Sequence, residues 1–173
     1  DFAKIPLDDA AAYRLLSEGK TVAVFQLESR GMQGMLRDAK PSVFEDIIAL
    51  VALYRPGPMD LIPSFCARKH GREAVEYPHP LMASVLEETY GIMVYQEQVM
   101  QVAQKVGGYS LGGADMLRRA MGKKKVEEMA EHRSIFAAGA AKNGIEAPLA
   151  NEIFDLIDYF SAAASGYDES WRD

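Results

Sequence analysis

The sequence predicts a mainly α-helical chain, an irregular assembly of several helices with at most one short strand or hairpin. Apolar residues recur at helical spacing through most of the 173 residues, and no heptad or internal repeat is sustained. Only Thr21 to Phe25 combines β-branched and apolar residues in the manner of a short strand. Hydrophobic residues make up 49% and charged residues 25% of the chain, which is typical of globular domains.

Capping residues divide the first part of the chain into helices. Asp8 can cap a short helix that ends near Gly19. Ser29 can cap the next helix, which carries three apolar residues on one side: Met32, Met35 and Leu36. Ser42 and Glu45 have the spacing of a capping box and predict the start of a third helix.

The third helix contains the longest apolar run, residues 47–54, which is far short of the roughly 20 residues that a membrane span needs. We therefore expect a buried helix, and the prolines of Arg55-Pro56-Gly57-Pro58 end it because they lack an amide donor. Residues 59–80 predict a loop-rich connector with one short helix. Cys66 is the only cysteine, which excludes an internal disulfide and indicates a buried apolar side chain in a reducing cytosol.

Four helices are predicted in the second part of the chain. The first covers residues 95–106 and ends at Gly107-Gly108, and the second covers residues 113–121. The third covers residues 126–142 and stops at Asn143-Gly144. The fourth has Pro148 in its first turn and carries a regularly spaced apolar set: Leu149, Ile153, Leu156, Ile157 and Phe160.

A cluster of cations is the strongest chemical signal. Although the net charge of the chain is −6, residues 116–125 contain no acid and five cations: Arg118, Arg119, Lys123, Lys124 and Lys125. The rest of the chain therefore carries −11, since −6 minus +5 is −11. Arg119 and Lys123 are neighbours if the helix continues through Gly122, and like charges at that spacing cost about 0.2–0.5 kcal/mol. We expect Asp115, at helical spacing, to relieve one of these cations but not all five.

Two interpretations of this cluster stay open at this point. Arginine binds phosphate oxygens in pairs and lysine adds a point charge, so the cluster suits a polyanion. Cations near a helix C-terminus are also favourable without any ligand, and the same helix could dock an acidic protein. Gly112-Gly113 would allow an anion to approach free amides at the helix entrance, but it matches no P-loop or dinucleotide motif, and a simple turn explains it.

The remaining polar residues predict no metal site and no catalytic residue. The three histidines, His70, His79 and His132, show no metal-ligand spacing with one another or with nearby acids. His132 lies in a charged helix, and we expect it to be exposed. No carboxylate set indicates a two-metal centre. Arg55, mounted beside two prolines, suits positioning of a ligand as well as an ordinary surface ion pair.

At these residues the chain resembles the alpha-subunit family of bacterial DNA polymerase III, the C-family replicative polymerases. Long, ordered motifs carry the resemblance: FQLESRGM (25–32), ALYRPGP (52–58), RKHGRE (68–73), YGIMVYQEQVMQVAQ (90–104), GGADMLRRAMGKKK (112–125), NGI (143–145) and NEIFDLI (151–157). The similarity runs from about Pro6 to Phe160. Such length and order exclude chance similarity.

The resemblance implies that residues 1–160 are the fingers region of a DNA-directed DNA polymerase. The palm aspartates that bind the catalytic Mg²⁺ lie outside this stretch, so the isolated chain is expected to bind no metal and to be inactive. The implied triphosphate-binding residues are Arg118, Arg119 and Lys123, and those implied to position nucleotide or DNA are Arg30, Arg55, Lys124 and Lys125. The implied partners are deoxynucleoside triphosphate, primer-template DNA, the other polymerase domains and replisome subunits, in the cytoplasm and without a membrane.

One segment departs from the family pattern. After a phenylalanine like Phe160 the family continues with a Gly-Tyr-Gly-Phe-Asn-Lys-Ser-His type of segment, whereas this chain has Ser161-Ala162-Ala163-Ala164. The expected asparagine, lysine and histidine are missing, so no nucleotide contact is carried over to this segment. We therefore expect residues 161–173 to be an atypical tail that is foreign to the domain.

Overall fold

The computed structural model describes residues 2–123 and 125–165, which form nine α-helices and no strand. Three short 3-10 helices accompany them, at Phe2–Lys4, Pro58–Leu61 and Glu87–Thr89. The chain divides into two compact units, one of residues 1–55 with 59–74 and the other of residues 56–58 with 75–173. The prediction of a mainly α-helical, irregular assembly is confirmed.

The first unit contains four α-helices, namely α1 (Ala10–Ser17), α2 (Arg30–Ala39), α3 (Phe44–Leu53) and α4 (Ile62–Lys69). Ser29 caps α2 as predicted, because its hydroxyl accepts a hydrogen bond from the Met32 amide at 3.2 Å. The prediction of Asp8 as the first cap is wrong by one residue. Asp9 takes that role, with its carboxylate 2.8 Å from the Ala12 amide.

The predicted capping box at α3 is displaced in the same way. Asp46, and not Glu45, reaches back to the chain before the helix, where it accepts from the amides of Ser42 at 2.9 Å and Val43 at 3.3 Å. Asp46 is only 2% exposed and also forms an ion pair with Lys69 at 2.9 Å. Because Lys69 ends α4, this buried pair fastens α4 to the start of α3.

The short strand predicted at Thr21 to Phe25 is wrong. These residues form consecutive turns, in which the Thr21 hydroxyl donates to the Leu27 carbonyl at 2.5 Å. Ala23 and Gln26 have positive φ angles of 65° and 66°, which a strand does not allow. This segment therefore forms a tight local turn closed by its own hydrogen bond, and the described residues contain no strand with which it could pair.

Two sequence motifs meet inside the first unit. The Tyr54 hydroxyl lies so close to Gly31 that a Cβ at that position would be 2.0 Å from the hydroxyl oxygen. Glycine at position 31 therefore permits α2 to approach the end of α3. The predicted apolar face of α2 is confirmed, since Met32, Met35 and Leu36 are buried, and so is the burial of Cys66.

The second unit contains five α-helices, namely α5 (Pro80–Leu86), α6 (Gln96–Lys105), α7 (Leu111–Lys123), α8 (Val126–Lys142) and α9 (Ala147–Ser165). The four helices predicted here are confirmed as α6 to α9, and α7 is longer than expected at both ends. Helix α7 packs against α6, α8 and α9. The ring centroids of Phe136 and Phe154, both fully buried, are 5.6 Å apart and join α8 to α9.

A glycine contact brings α8 against the turn between α6 and α7. A Cβ at Gly139 would lie 1.7 Å from the carbonyl oxygen of Gly107. The missing side chain therefore allows backbone to touch backbone, which sets where α7 begins relative to α8.

Helix α9 continues beyond Phe160, and residues 161–165 belong to it. Residues 166–173 of the predicted atypical tail lie outside the described residues, and the tail stays a prediction. In the part of the chain that the structure describes, no helix combines the length and apolar character needed to cross a membrane.

Candidate functional site

Helix α7 carries three of the predicted cations, and two of them, Arg119 and Lys123, lie on the side that faces away from its neighbours. One face of the helix is buried in the second unit by Ala114, Leu117, Ala120 and Met121. The other face exposes Arg119 and Lys123, one helical turn apart. The helix continues through Gly122, as the neighbour relation between these two cations requires. The packing of α7 therefore decides which of its cations are presented to solvent.

Asp115 binds two arginines of this helix. Its carboxylate accepts from Arg118 Nε at 3.0 Å and from the Arg118 terminal nitrogen at 2.7 Å, and its second oxygen lies 2.9 Å from Arg119 Nε. The hydrogen bond from Arg118, joined by the charges of both arginines, lowers the pKa of Asp115. The expectation that Asp115 relieves one cation is therefore wrong, because i+3 and i+4 neighbours both reach one carboxylate.

The cations of α7 differ in how accessible they are. The Arg119 side chain is 66% exposed and that of Arg118 39%. Lys123 is exposed and makes no ion pair within residues 2–123 and 125–165. Exposed ion pairs are weak, so the Arg119–Asp115 contact can be exchanged for a phosphate, which binds arginine more favourably. The described α7 cations carry +3 against one carboxylate, a surplus of +2.

Two glycines of α7 meet open space, one in its first turn and one between the exposed cations. Gly112 and Gly122 lie in α7, and a Cβ at either position would meet no atom within 4 Å. Packing among the described residues therefore does not require glycine there, although each glycine costs the helix about 1 kcal/mol relative to alanine. Gly113 is different, since its amide donates to the Ser110 hydroxyl at 3.1 Å. The helix entrance is thus capped by a side chain, as expected for a simple turn.

The cations beyond α7 are placed as follows. Lys125 immediately precedes α8, and its ammonium is 2.5 Å from the Glu128 carboxylate, which lowers the pKa of Glu128. Lys124 lies outside the described residues. Lys125 therefore has an ion-pair partner on its own chain, whereas Lys123 makes no ion pair with a described residue, although its charge also contributes to the lowered pKa of Glu128.

The two other predicted arginines belong to the first unit. Arg30 is the exposed first residue of α2, and Arg55 is exposed directly after Tyr54. Because Gly31 and Tyr54 are in contact, the chain segments that carry these two arginines meet. The structure thus joins the two motifs that supply Arg30 and Arg55.

The expectation that His132 is exposed is wrong. The residue is only 9% exposed and lies beside Tyr109, whose hydroxyl is 2.9 Å from the His132 carbonyl and 3.1 Å from Nδ1. Burial lowers the pKa of His132 and raises the pKa of Tyr109 to about 12. The charged residues around His132 suggested an exposed helix face, but the histidine itself lies on the inner side of α8. No group of three or more His, Cys, Asp or Glu among the described residues could hold a metal ion.

Sequence reasoning also missed a second group of cations, in the first unit. Arg37 and Lys40 come from the end of α2, and Arg72 from the turn after α4. More than thirty residues separate the two segments, so no local pattern connected them. The sequence showed the RKHGRE motif, but it did not show that the end of α2 lies beside this motif in the folded chain.

Comparisons with known proteins agree with the motifs. Residues 1–144 match the family model described as the bacterial DNA polymerase III alpha subunit finger domain. The chain is 60% identical over 171 residues to a DNA polymerase III subunit alpha of Xylella fastidiosa (strain 9a5c), covering 98% of this chain. It is 57% identical over 177 residues to that of Escherichia coli (strain K12), again covering 98% of this chain, and 56% identical over 168 residues, covering 97%, to that of Chlamydia pneumoniae.

The chain is much shorter than these relatives, since it spans 14% of the Xylella protein, 15% of the Escherichia coli protein and 13% of the Chlamydia protein. The family model nevertheless covers most of this chain, from its first residue to the end of α8. We conclude that this chain belongs to the family of bacterial DNA polymerase III alpha subunit finger domains.

Proposed function

We propose that the chain is the part of a DNA-directed DNA polymerase that holds the incoming deoxynucleoside triphosphate during replication, with α7 as the triphosphate-binding element. One observation carries the proposal: the exposed face of α7 presents Arg119 and Lys123 one turn apart, and the glycine between them, Gly122, leaves open space beside them. Arg118, Arg119 and Lys123 are the triphosphate-binding residues. The named relatives, which are DNA polymerase subunits, support the choice of ligand.

The three cations serve different purposes in this proposal. Arg119 gives up its Asp115 contact and offers two parallel N–H donors to phosphate oxygens, while Lys123 adds a point charge one turn later. Arg118 keeps the Asp115 carboxylate in place and adds positive potential. Phosphoryl transfer gathers negative charge in its transition state, and cations fixed on a packed helix stabilise that charge without reorganising.

Catalysis requires more than this chain. Among the described residues, no group of three or more His, Cys, Asp or Glu could hold a metal ion. The metal-binding aspartates belong to the remainder of the longer polymerase. We therefore expect the isolated chain to show no primer extension. Arg30, Arg55, Lys124 and Lys125 are proposed to position nucleotide or template DNA, and the other domains and replisome subunits are the proposed partners.

A titration of the isolated chain with dATP and Mg²⁺ tests the triphosphate site. We expect Arg119→Gln with Lys123→Gln to weaken dATP binding at least about tenfold, since two charge-assisted contacts are lost. The control, Lys4→Gln with Arg14→Gln, removes the same charge from exposed positions of the first unit and should leave the affinity unchanged. Equal weakening by both pairs would show that only net charge matters and would contradict the proposal.

A protein-docking role is the second candidate, because the α7 region already binds carboxylates. Asp115 holds two arginines and Glu128 holds Lys125. An acidic partner could extend that pattern. A glutamate oligopeptide of the same charge as dATP separates the candidates: the triphosphate proposal requires tighter binding of dATP, and equal or tighter binding of the peptide favours the docking role.

A further inference from the structure

The second group of cations lines a cleft in the first unit. The cleft has a volume of about 800 Å³, and its lining runs from the end of α2 along α4, from Ile62 at the start of that helix to the turn that follows it. The lining residues that matter here are Arg37, Asp38, Lys40, Cys66, His70 and Arg72. The three strong cations among them are exposed, and Asp38 is the only acid, so the lining carries a surplus of +2.

The cations near this cleft differ in whether they form ion pairs. Arg68 is bound by Glu73 at 2.8 Å, and Lys69 by the buried Asp46 at 2.9 Å. Arg72, four residues after Arg68, makes no ion pair with any described residue. The same stretch of chain therefore neutralises two of its cations internally and leaves the third facing the cleft.

The same holds for the α2 side of the cleft, whose wall is fixed by backbone contacts. Arg37 and Lys40 make no ion pair within the described ranges. His70 Nε2 lies 2.8 Å from the Ala39 carbonyl and 3.2 Å from the Asp38 carbonyl, so it donates to the last carbonyls of α2. Lys40 follows with a positive φ of 46°, which turns the chain away from the helix axis. The hydrogen bonds of His70 thus hold the two segments that carry the cations together.

We propose that this cleft is a second anion site that binds the phosphodiester backbone of DNA, formed by residues other than those of the proposed triphosphate site on α7. The proposal rests on the proposed function, in which the chain works on DNA. The phosphates of a DNA strand are spaced along the chain, so they match cations that come from two different segments. A triphosphate is compact, so it matches two cations one helical turn apart, as on α7. When cations that make no ion pair with described residues neutralise phosphates, the counterions condensed on the DNA are released, which drives association.

The salt dependence of oligonucleotide binding tests the proposal. The variant Arg37→Gln/Lys40→Gln/Arg72→Gln keeps most of each side-chain stem and removes three charges. The matched control, Lys4→Gln/Arg14→Gln/Lys20→Gln, removes three exposed cations of the same unit that lie outside the cleft lining. The binding of a 12-nucleotide oligothymidylate to the whole chain is measured between 50 and 200 mM salt, with circular dichroism to verify folding.

Each lost phosphate contact on a single strand lowers the slope of log K against log salt by about 0.7. The cleft variant should therefore lose about 2 in slope, so that the weakening over this fourfold salt range shrinks by roughly 18-fold. The control should keep the wild-type slope. A slope reduced by less than about 0.7, or reduced equally by the control, would overturn the proposal. Equally tight binding of a glutamate 12-mer would overturn it in favour of an acidic protein ligand.

The α7 variant separates this proposal from the first one. Arg119→Gln/Lys123→Gln should weaken dATP binding, whereas the cleft variant should leave dATP affinity unchanged. If the α7 variant binds dATP normally while the cleft variant loses slope, the triphosphate assignment fails and the cleft proposal stands. Loss of dATP affinity in the cleft variant would show that the cleft cations also bind the triphosphate and would overturn their assignment to DNA.

Discussion

The buried ion pair between Asp46 and Lys69 should be a main determinant of the stability of the first unit. Asp46 is 2% exposed and the Lys69 side chain 8%, and their charged atoms are 2.9 Å apart. We expect Asp46→Asn to lower the free energy of unfolding by about 3–5 kcal/mol, because it leaves the ammonium group buried without its counter-charge. The new amide oxygen can still accept from the amides before α3.

Lys69→Met should be less harmful. The Asp46 carboxylate keeps the amide hydrogen bonds from Ser42 and Val43 and loses one charged partner, which costs about 1.5–3 kcal/mol. The double variant Asp46→Asn/Lys69→Met buries no charge and should cost no more than Lys69→Met alone. The coupling free energy of the cycle should therefore be about 3 kcal/mol or more in favour of the pair.

Hydrogen exchange of the α3 and α4 amides measures these losses locally, and the α8 and α9 amides of the second unit serve as an internal control. The pH dependence gives an independent reading. Burial raises the pKa of Asp46, but the Ser42 amide and the Lys69 ammonium outweigh it, so the folded pKa is lowered. The stabilisation is thus complete above the unfolded pKa of about 3.9 and is lost as pH falls through the folded value. Additive single effects, with coupling under about 0.5 kcal/mol, would refute this reasoning.

Three further predictions concern the second unit. Gly139→Ala should destabilise it by about 2–3 kcal/mol in urea unfolding, because the new Cβ would lie 1.7 Å from the Gly107 carbonyl oxygen, and an unchanged midpoint would contradict that contact. Gly122→Ala should instead raise helix stability by about 1 kcal/mol and weaken dATP binding, because the new methyl group would occupy the open space beside the exposed cations. Unaltered dATP binding would show that the nucleotide does not use this space. Because burial lowers the pKa of His132, the unit should lose stability as pH falls from about 7 through 6.5. His132→Asn should flatten this pH dependence, and an equally steep profile would exclude His132 as its source.

Local signals predicted the helices well. Capping residues, proline stops and glycine ends act within a few residues of one another, so α8 was predicted at its observed bounds and α6 and α7 within two residues of theirs, whereas α5 was not predicted. The caps at Asp9 and Asp46 were missed by one residue because adjacent acids, Asp8-Asp9 and Glu45-Asp46, are equally suitable in sequence. Only the three-dimensional path of the chain selects one of each pair.

Signals that depend on distant segments could not be predicted. Thr21 to Phe25 has strand-forming residues, but a strand needs a partner, and the Thr21–Leu27 hydrogen bond closes a turn instead. The burial of His132 depends on Tyr109 from another segment, and the cleft cations come from two segments that lie side by side only in the folded chain. The α7 cations were predicted, but which of them are exposed follows from how the helix packs.

The most direct test of the central claim is to follow the Arg119 side-chain Nε–H resonance by NMR while dATP and Mg²⁺ are added. If Arg119 leaves Asp115 for a phosphate, the resonance should shift saturably with the nucleotide. The pKa of Asp115, which the arginines lower, should rise toward its ordinary value at the same time. A resonance that stays unchanged at saturating dATP would contradict the assignment of α7 as the triphosphate-binding helix.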